Sequence, residues 1–282
     1  MKIAEKAIEA EKLTWFYREV NPNSSKDRPP VIFLHGIPSQ SYSWSAILPQ
    51  FAERGFRAIA PDWLGHGRSE KPDKRDFNYT SDRYIRAFDE FLTAMDIDRF
   101  YLVVQGFLGS VGLQYAQRNP DRIERVAILN APISTEAKLP WKMQQMGLPF
   151  VGDMMTQDPL LVDRTLEAGS GFVVTDEDLD VYRRPFLKSS DAGRSLLMTI
   201  RNLNLKSAMA ELEAGWQNWQ HPTLLIWGDA DPWLAIEPAK MLADRLENGK
   251  LVCLEKAGHY AQDHWPQEIS NALLDFFRRR DD

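Results

Sequence analysis

The chain has 282 residues, and its 34 Lys plus Arg against 40 Asp plus Glu give a formal charge of −6 at pH 7. That balance argues against a surface made for nucleic-acid backbones or anionic lipid. The 44% hydrophobic and 26% charged residues exclude general disorder and allow a sizeable core. Cys253 is the only cysteine, which excludes an intramolecular disulfide and a cysteine-based zinc site. Met1–Leu13 is charged and lacks a continuous apolar core, and no run approaches the roughly 18 apolar residues of a membrane span. The sequence reads as soluble and cytoplasmic.

In chain order, short apolar runs alternate with helical segments, the pattern of a mostly parallel sheet covered by helices. Val31–Leu34 is a predicted strand ending in His35-Gly36, and a helix is expected over Ser43–Arg54. Phe56–Ala60 is the next strand, ending at Pro61-Asp62. A helix over Ser81–Met95 opens on Thr80, Ser81 and Asp82, all suited to capping. Strand Tyr101–Val104, helix Phe107–Arg118 and strand Val126–Leu129 follow.

From Ala131 to about Gln220 the rhythm becomes helical, as in Leu196, Ile200 and Leu203. Six of the nine methionines fall here, Met143 and Met146 among them, with Trp141, Trp216 and Trp219. Met fills helical cores, and it also makes an adaptable apolar wall over a pocket. On the second reading Trp141, Met143, Met146 and Tyr182 line that pocket. Strands resume at Thr223–Trp227 and Leu251–Leu254, and a last helix runs from Pro266 to about Arg280. The expected organisation is an α/β core of residues 1–130 and 221–282, interrupted by a helical lid over 131–220.

Three loops follow strands, where ligands bind in open α/β sheets. They are His35-Gly36-Ile37-Pro38, Asp62-Trp63-Leu64-Gly65-His66-Gly67-Arg68-Ser69, and Trp227-Gly228-Asp229-Ala230-Asp231-Pro232 with Gly258-His259 further on. The second could pass for a phosphate cradle, but no helix start with Lys-Ser/Thr follows it. Asn23-Ser24-Ser25 and Asn78-Tyr79-Thr80 fit a glycosylation pattern without any sign of secretion, so they read as loop residues. Asp176-Glu177-Asp178 reads as an acidic helix start and not a calcium loop. Arg278-Arg279-Arg280 reads as a helix end. No metal site and no cofactor are expected.

Taken together, His35-Gly36-x-Pro38, Asp62-x-x-Gly65-x-Gly67-x-Ser69, the helical insertion, Trp227-Gly228-x-x-Asp231-Pro232 and Ala257-Gly258-His259 resemble the α/β-hydrolase superfamily. The likeness is to its capped branch of haloalkane dehalogenases and epoxide hydrolases, and it spans Val31 to the last helix. It implies an α/β-hydrolase fold with an inserted helical cap. Asp231 matches the family's acid and His259 its base. The carboxylate would fix the imidazole tautomer, and an imidazole accepts and returns protons near neutral pH.

At the nucleophile the resemblance breaks. Strand Tyr101–Val104 ends at Gln105, which places Gly106 on the turn where the family carries Ser or Asp. Glycine can neither attack carbon nor hold a covalent intermediate. Leu108 replaces the turn's second glycine. Ser110 lies about one helical turn beyond, and Cys253 sits in an apolar strand; both read as packing residues. Dehalogenases commonly bind halide through an aromatic N–H after the nucleophile and an Asn after His-Gly. Here Phe107 and Ile37 stand in those places, leaving only their backbone N–H groups as oxyanion donors. Two functions follow. One is a hydrolase-like enzyme on a small apolar substrate, driven by His259 and Asp231 as general base. The other is a catalytically silent fold that binds a hydrophobic small molecule or a protein partner. Oligomeric state is left open by the sequence.

Overall fold

The computed structural model describes residues 2–23, 28–148, 150–156, 158 and 160–278. Eight strands form one sheet: β1 (Ala4–Ala10), β2 (Leu13–Val20), β3 (Val31–Leu34), β4 (Ala58–Pro61), β5 (Phe100–Gln105), β6 (Ile123–Leu129), β7 (Thr223–Gly228) and β8 (Gly249–Leu254). Their order is β1-β2-β4-β3-β5-β6-β7-β8. β2 pairs antiparallel with both neighbours, and the remaining pairings are parallel. The central strands are apolar runs buried on both faces, as parallel strands between helical layers must be. Leu102 and Val104 enter one core cluster with Trp63, Phe88 and Trp227, while Val103 enters another with Phe33, Phe51 and Phe277. The alternation of one strand thus builds both layers.

On the core, α1 (Leu48–Glu53), α2 (Ser81–Ala94), α3 (Gly106–Arg118), α10 (Glu237–Arg245) and α11 (Pro266–Arg278) cover the sheet. Thr80 caps α2, its hydroxyl accepting from the Arg83 amide at 3.3 Å, so Asn78-Tyr79-Thr80 is the approach to a helix. Six helices stand between β6 and β7: α4 (Trp141–Met146), α5 (Val151–Met155), α6 (Leu161–Ser170), α7 (Asp176–Lys188), α8 (Ser190–Asn202) and α9 (Leu205–Gly215). The Thr175 side chain caps α7 and its first turn is acidic, as read from sequence.

Two differences from the sequence reading concern the edges of the sheet and the ends of elements. β1 and β2 were not among the predicted strands, because β1 is an exposed edge whose charges mask its alternation. The expected helix over Ser43–Arg54 divides into a short 3₁₀ turn at Ser41–Trp44 and α1. Met1, Ser24, Ser25, Arg279 and Arg280 lie outside the described residues. Among the described residues, no helix is long and apolar enough to cross a membrane and no group of acidic, His or Cys side chains could hold a metal ion.

Candidate active site

The carboxyl ends of β3, β5 and β7 converge on His259. β5 ends at Gln105 in extended conformation, and α3 starts at Gly106 with φ +68°. The strand-to-helix turn therefore sits in the register read from the sequence. An L side chain at that φ is strained, whereas glycine is not. A Cβ built on Gly106 would lie 3.3 Å from His259 Nε2 and 3.0 Å from the Gly36 Cα. The turn after β3 and the turn after β5 thus meet in front of the imidazole. Ser110 is one helical turn further on and fully buried, its hydroxyl donating to the Phe107 carbonyl at 2.8 Å. Cys253 is exposed on β8, where burial was expected, because β8 is an edge strand.

His259 Nδ1 donates to Asp231 Oδ2 at 2.8 Å, and both side chains are wholly buried. Because a carboxylate only accepts, this bond puts the ring proton on Nδ1 and leaves Nε2 as the acceptor of the neutral ring. Asp231 is itself held by three further donors. Asn130 Nδ2 reaches Oδ2 at 2.7 Å, and the amides of Trp233 and Leu234 reach Oδ1 at 2.8 and 3.1 Å. Asn130 in turn accepts from the Gly228 amide at 3.0 Å. Nε2 of His259 is buried and meets no hydrogen-bonding partner among the described residues. Buried polar atoms are nearly always partnered, and this one faces the strand-to-helix turn at Gly106.

Around this atom the packing is dense. The Phe107 ring stacks on the imidazole at 5.3 Å and 26°, Trp233 covers it at 4.8 Å, and Tyr260 stands edge-on at 5.0 Å. The inserted helices touch this loop, the His259 amide donating to the Gly169 carbonyl at the end of α6 (2.7 Å). Gln105 ties the turns together: its Nε2 donates to the His259 carbonyl at 2.9 Å and its Oε1 accepts from the Gly36 amide at 3.2 Å. Tyr260 donates to the Ile37 carbonyl at 2.9 Å. Phe107 lies in the first turn of α3, whose amides have no acceptor within the helix. A cleft of about 170 Å³ is lined by Trp233 with Ile133, Trp227 and Leu234 and by the polar Ser134 and Glu136.

The four expected pocket residues are not brought together. Met143 and Met146 are buried in the main core cluster, so at these two positions the core-filler reading describes what they do. Trp141 opens α4 immediately after Pro140 and is 70% exposed, so its indole faces solvent and walls no enclosed pocket. Tyr182 is buried in a separate cluster with Leu166, Leu179 and Tyr260, and its hydroxyl donates to Asp263 at 3.0 Å. Asn130, Gln105 and Trp233 were missed. An Asn or Gln ending a strand carries no distinctive spacing, and only the fold brings it to the loop it serves.

The loop after β4 holds an anion of its own. Asp62 accepts from the amides of Ser41 and Arg68 at 2.6 Å each, so the amides that could have cradled a phosphate are already satisfied. His35, at the end of β3, contacts the Gly36 carbonyl through Nδ1 and accepts from the Trp63 amide through Nε2. Burial pushes its pKa down, which keeps it a neutral structural ring.

Residues 29–264 match the family described as alpha/beta hydrolase fold. The chain belongs to that family. A haloalkane dehalogenase of Mesorhizobium japonicum is 29% identical over 261 residues, 87% of this chain and 83% of that one. Epoxide hydrolase 1 of Caenorhabditis elegans is 26% identical, over 90% of this chain and 66% of the other. Among solved structures, haloalkane dehalogenase DbeA from Bradyrhizobium elkani superposes with a TM-score of 0.87 at 25% identity, covering 98% of each chain. This α/β hydrolase therefore shares its overall fold with a haloalkane dehalogenase along almost its full length.

Proposed function

We propose that the chain is a divergent hydrolase-like enzyme in which His259, oriented by Asp231, activates water directly and no covalent intermediate forms. The observation that carries this reading is the orphan Nε2 facing Gly106, where a Cβ would stand at 3.3 Å. Gly106 takes the place of the Ser or Asp nucleophile of the family. Without a side chain there, the acceptor lone pair of Nε2 faces the turn directly, and the turn and the rings around it part to admit a water and the substrate carbon. In the step proposed, water oxygen attacks the substrate's electrophilic carbon and its proton passes to Nε2. The Ile37 and Phe107 amides stabilise the developing oxyanion, and the imidazolium then returns the proton to the leaving group. General base catalysis supplies on the order of 10²–10⁴-fold and one oxyanion donor on the order of 10²–10³-fold. Residues 131–220 act as the lid, and the cleft beside Trp233, lined by Ile133, Trp227 and Leu234 together with Ser134 and Glu136, is where a small substrate would enter. No metal or cofactor takes part in this scheme.

A second reading, that the fold binds a hydrophobic molecule without turning it over, is favoured by the complete burial of His259 between Phe107 and Trp233. One experiment separates the two. Turnover of apolar esters, lactones, epoxides and haloalkanes is measured for the native chain, His259→Ala, Gly106→Ser and Gly106→Asp. Native turnover abolished in His259→Ala is the expected result. A silent native protein whose Gly106→Ser or Gly106→Asp variant gains activity would refute the first reading in favour of the second.

A further inference from the structure

A cleft of about 1290 Å³ lies apart from the residues around His259, between the β1 edge of the sheet and helix α7. Its walls are basic although the chain is acidic overall. The N-terminal edge contributes Lys2 and Lys6, and β2 contributes Arg18. The loop after β4 contributes Arg68 and Lys71, and the inserted helix α7 adds Arg184 and Lys188. Glu5 is the only carboxylate among the lining residues.

The carboxylates at hand do not neutralise this set. Glu5 is shared by Arg18 (3.1 Å) and Arg68. Glu19, behind the wall, is shared by Lys6 (2.6 Å) and Arg57 (2.7 Å). Each of these carboxylates therefore answers two cations. Lys71 is half-buried and, among the described residues, donates to the carbonyls of Gly67 and Ser69, at 2.7 and 2.9 Å. Burial pushes its pKa down, with only the more distant charges of Asp62 and Asp191 opposing the shift. Arg184 and Lys188 stand one helical turn apart on the face of α7 that carries Val181, and neither has a carboxylate partner among the described residues. The nearby acids Asp178 and Asp180 are otherwise engaged, with Tyr42 (2.8 Å) and Arg183 (3.4 Å).

Holding an ammonium away from water without a counter-ion is costly, and like charges converging on a concave, low-dielectric surface focus a positive field. We propose that this cleft is a binding site for a small, multiply charged organic anion, carrying phosphate or carboxylate groups. Its bridging of the sheet edge and the inserted α7 means that an occupant would tie the two together. The concave shape favours a small ligand, and so does the negative excess carried by the rest of the surface, which repels an extended polyanion.

The test is calorimetric titration of the full chain at low ionic strength with sodium pyrophosphate and with citrate. Sodium chloride at matched ionic strength is the control, and a single-stranded oligonucleotide is the third arm. The variant Arg184→Gln/Lys188→Gln alters two exposed side chains on one helix, and an unchanged urea midpoint verifies its fold. Lys71→Gln is the second variant. The expected result is saturable 1:1 binding of pyrophosphate or citrate, weakened at least about tenfold, equivalent to ~1.4 kcal/mol, in the double variant. Preference between the two anions identifies phosphate or carboxylate as the recognised group. Absence of saturable binding, or equal binding by both variants and the native chain, overturns the proposal. Tighter binding of the oligonucleotide than of either small anion overturns it in favour of a nucleic-acid surface.

Discussion

Replacing Gly106 by Ala isolates the cost of placing any side chain on the strand-to-helix turn. Two terms act there. The backbone stands at φ +68°, and holding a non-glycine residue in that region costs about 1–3 kcal/mol, less the roughly 0.4–1 kcal/mol returned by the stiffer unfolded chain. The new methyl also meets the Gly36 Cα at 3.0 Å and His259 Nε2 at 3.3 Å, an overpacking worth about 1–3 kcal/mol. Gly171, the residue after α6, separates these terms, because it has φ +73° with nothing within 4 Å of its Cβ position. Gly171→Ala should therefore cost roughly 0.5–2 kcal/mol. Gly106→Ala should cost roughly 2–4 kcal/mol, the difference being the contact with the Gly36 turn and the imidazole. Urea unfolding followed by the fluorescence of the nine tryptophans, with equal m-values, gives both numbers. If Gly106→Ala costs no more than Gly171→Ala, the crowded turn is not as described, and the argument placing an orphan Nε2 against Gly106 fails with it.

Other perturbations probe the rest of the molecule. Asn130→Ala removes a donor from Asp231 and strands the buried Gly228 amide, so it should destabilise by about 1–3 kcal/mol; a urea midpoint equal to that of the native chain would contradict this. Burial pushes the Asp263 carboxyl from 3.8 up to about 7, with the Tyr182 hydrogen bond opposing and Asp178 assisting. The folded state thus holds a proton that the unfolded state releases near pH 4. Stability should be fully present below that value and fall as pH rises to about 7. Asp263→Asn should remove that fall from the pH dependence of thermal unfolding, and identical slopes in the two proteins would count against it. Trp233→Ala uncovers one face of His259, so acylation of the imidazole by diethylpyrocarbonate should speed up, whereas an unchanged rate would mean that another group blocks access.

Much of the frame is local and therefore readable along the chain. The runs Val31–Leu34, Tyr101–Val104 and Thr223–Trp227 are buried strands because β-branched and aromatic residues cluster there between glycine-bearing turns. Thr80 caps a helix whose apolar spacing is visible, and Gly106 falls on the turn because the strand and the helix on either side bound it. Likewise Asp231 and His259 are joined by the loops that the sequence singles out. Edge strands were less legible: β1 is charged because an unpaired edge must resist association, and that charge hides its period.

The alternating α/β order, the helical insertion and the absence of a side chain at the turn are properties of neighbouring residues and can be read along the chain. That Asn130 holds Asp231, that Gln105 links His259 to Gly36, that Trp141 faces solvent and that cations from four separate segments face one cleft emerges from the folded arrangement alone. These arise from contacts between residues far apart in the chain, and such contacts exist only once the sheet order has brought the strand ends and the inserted helices together.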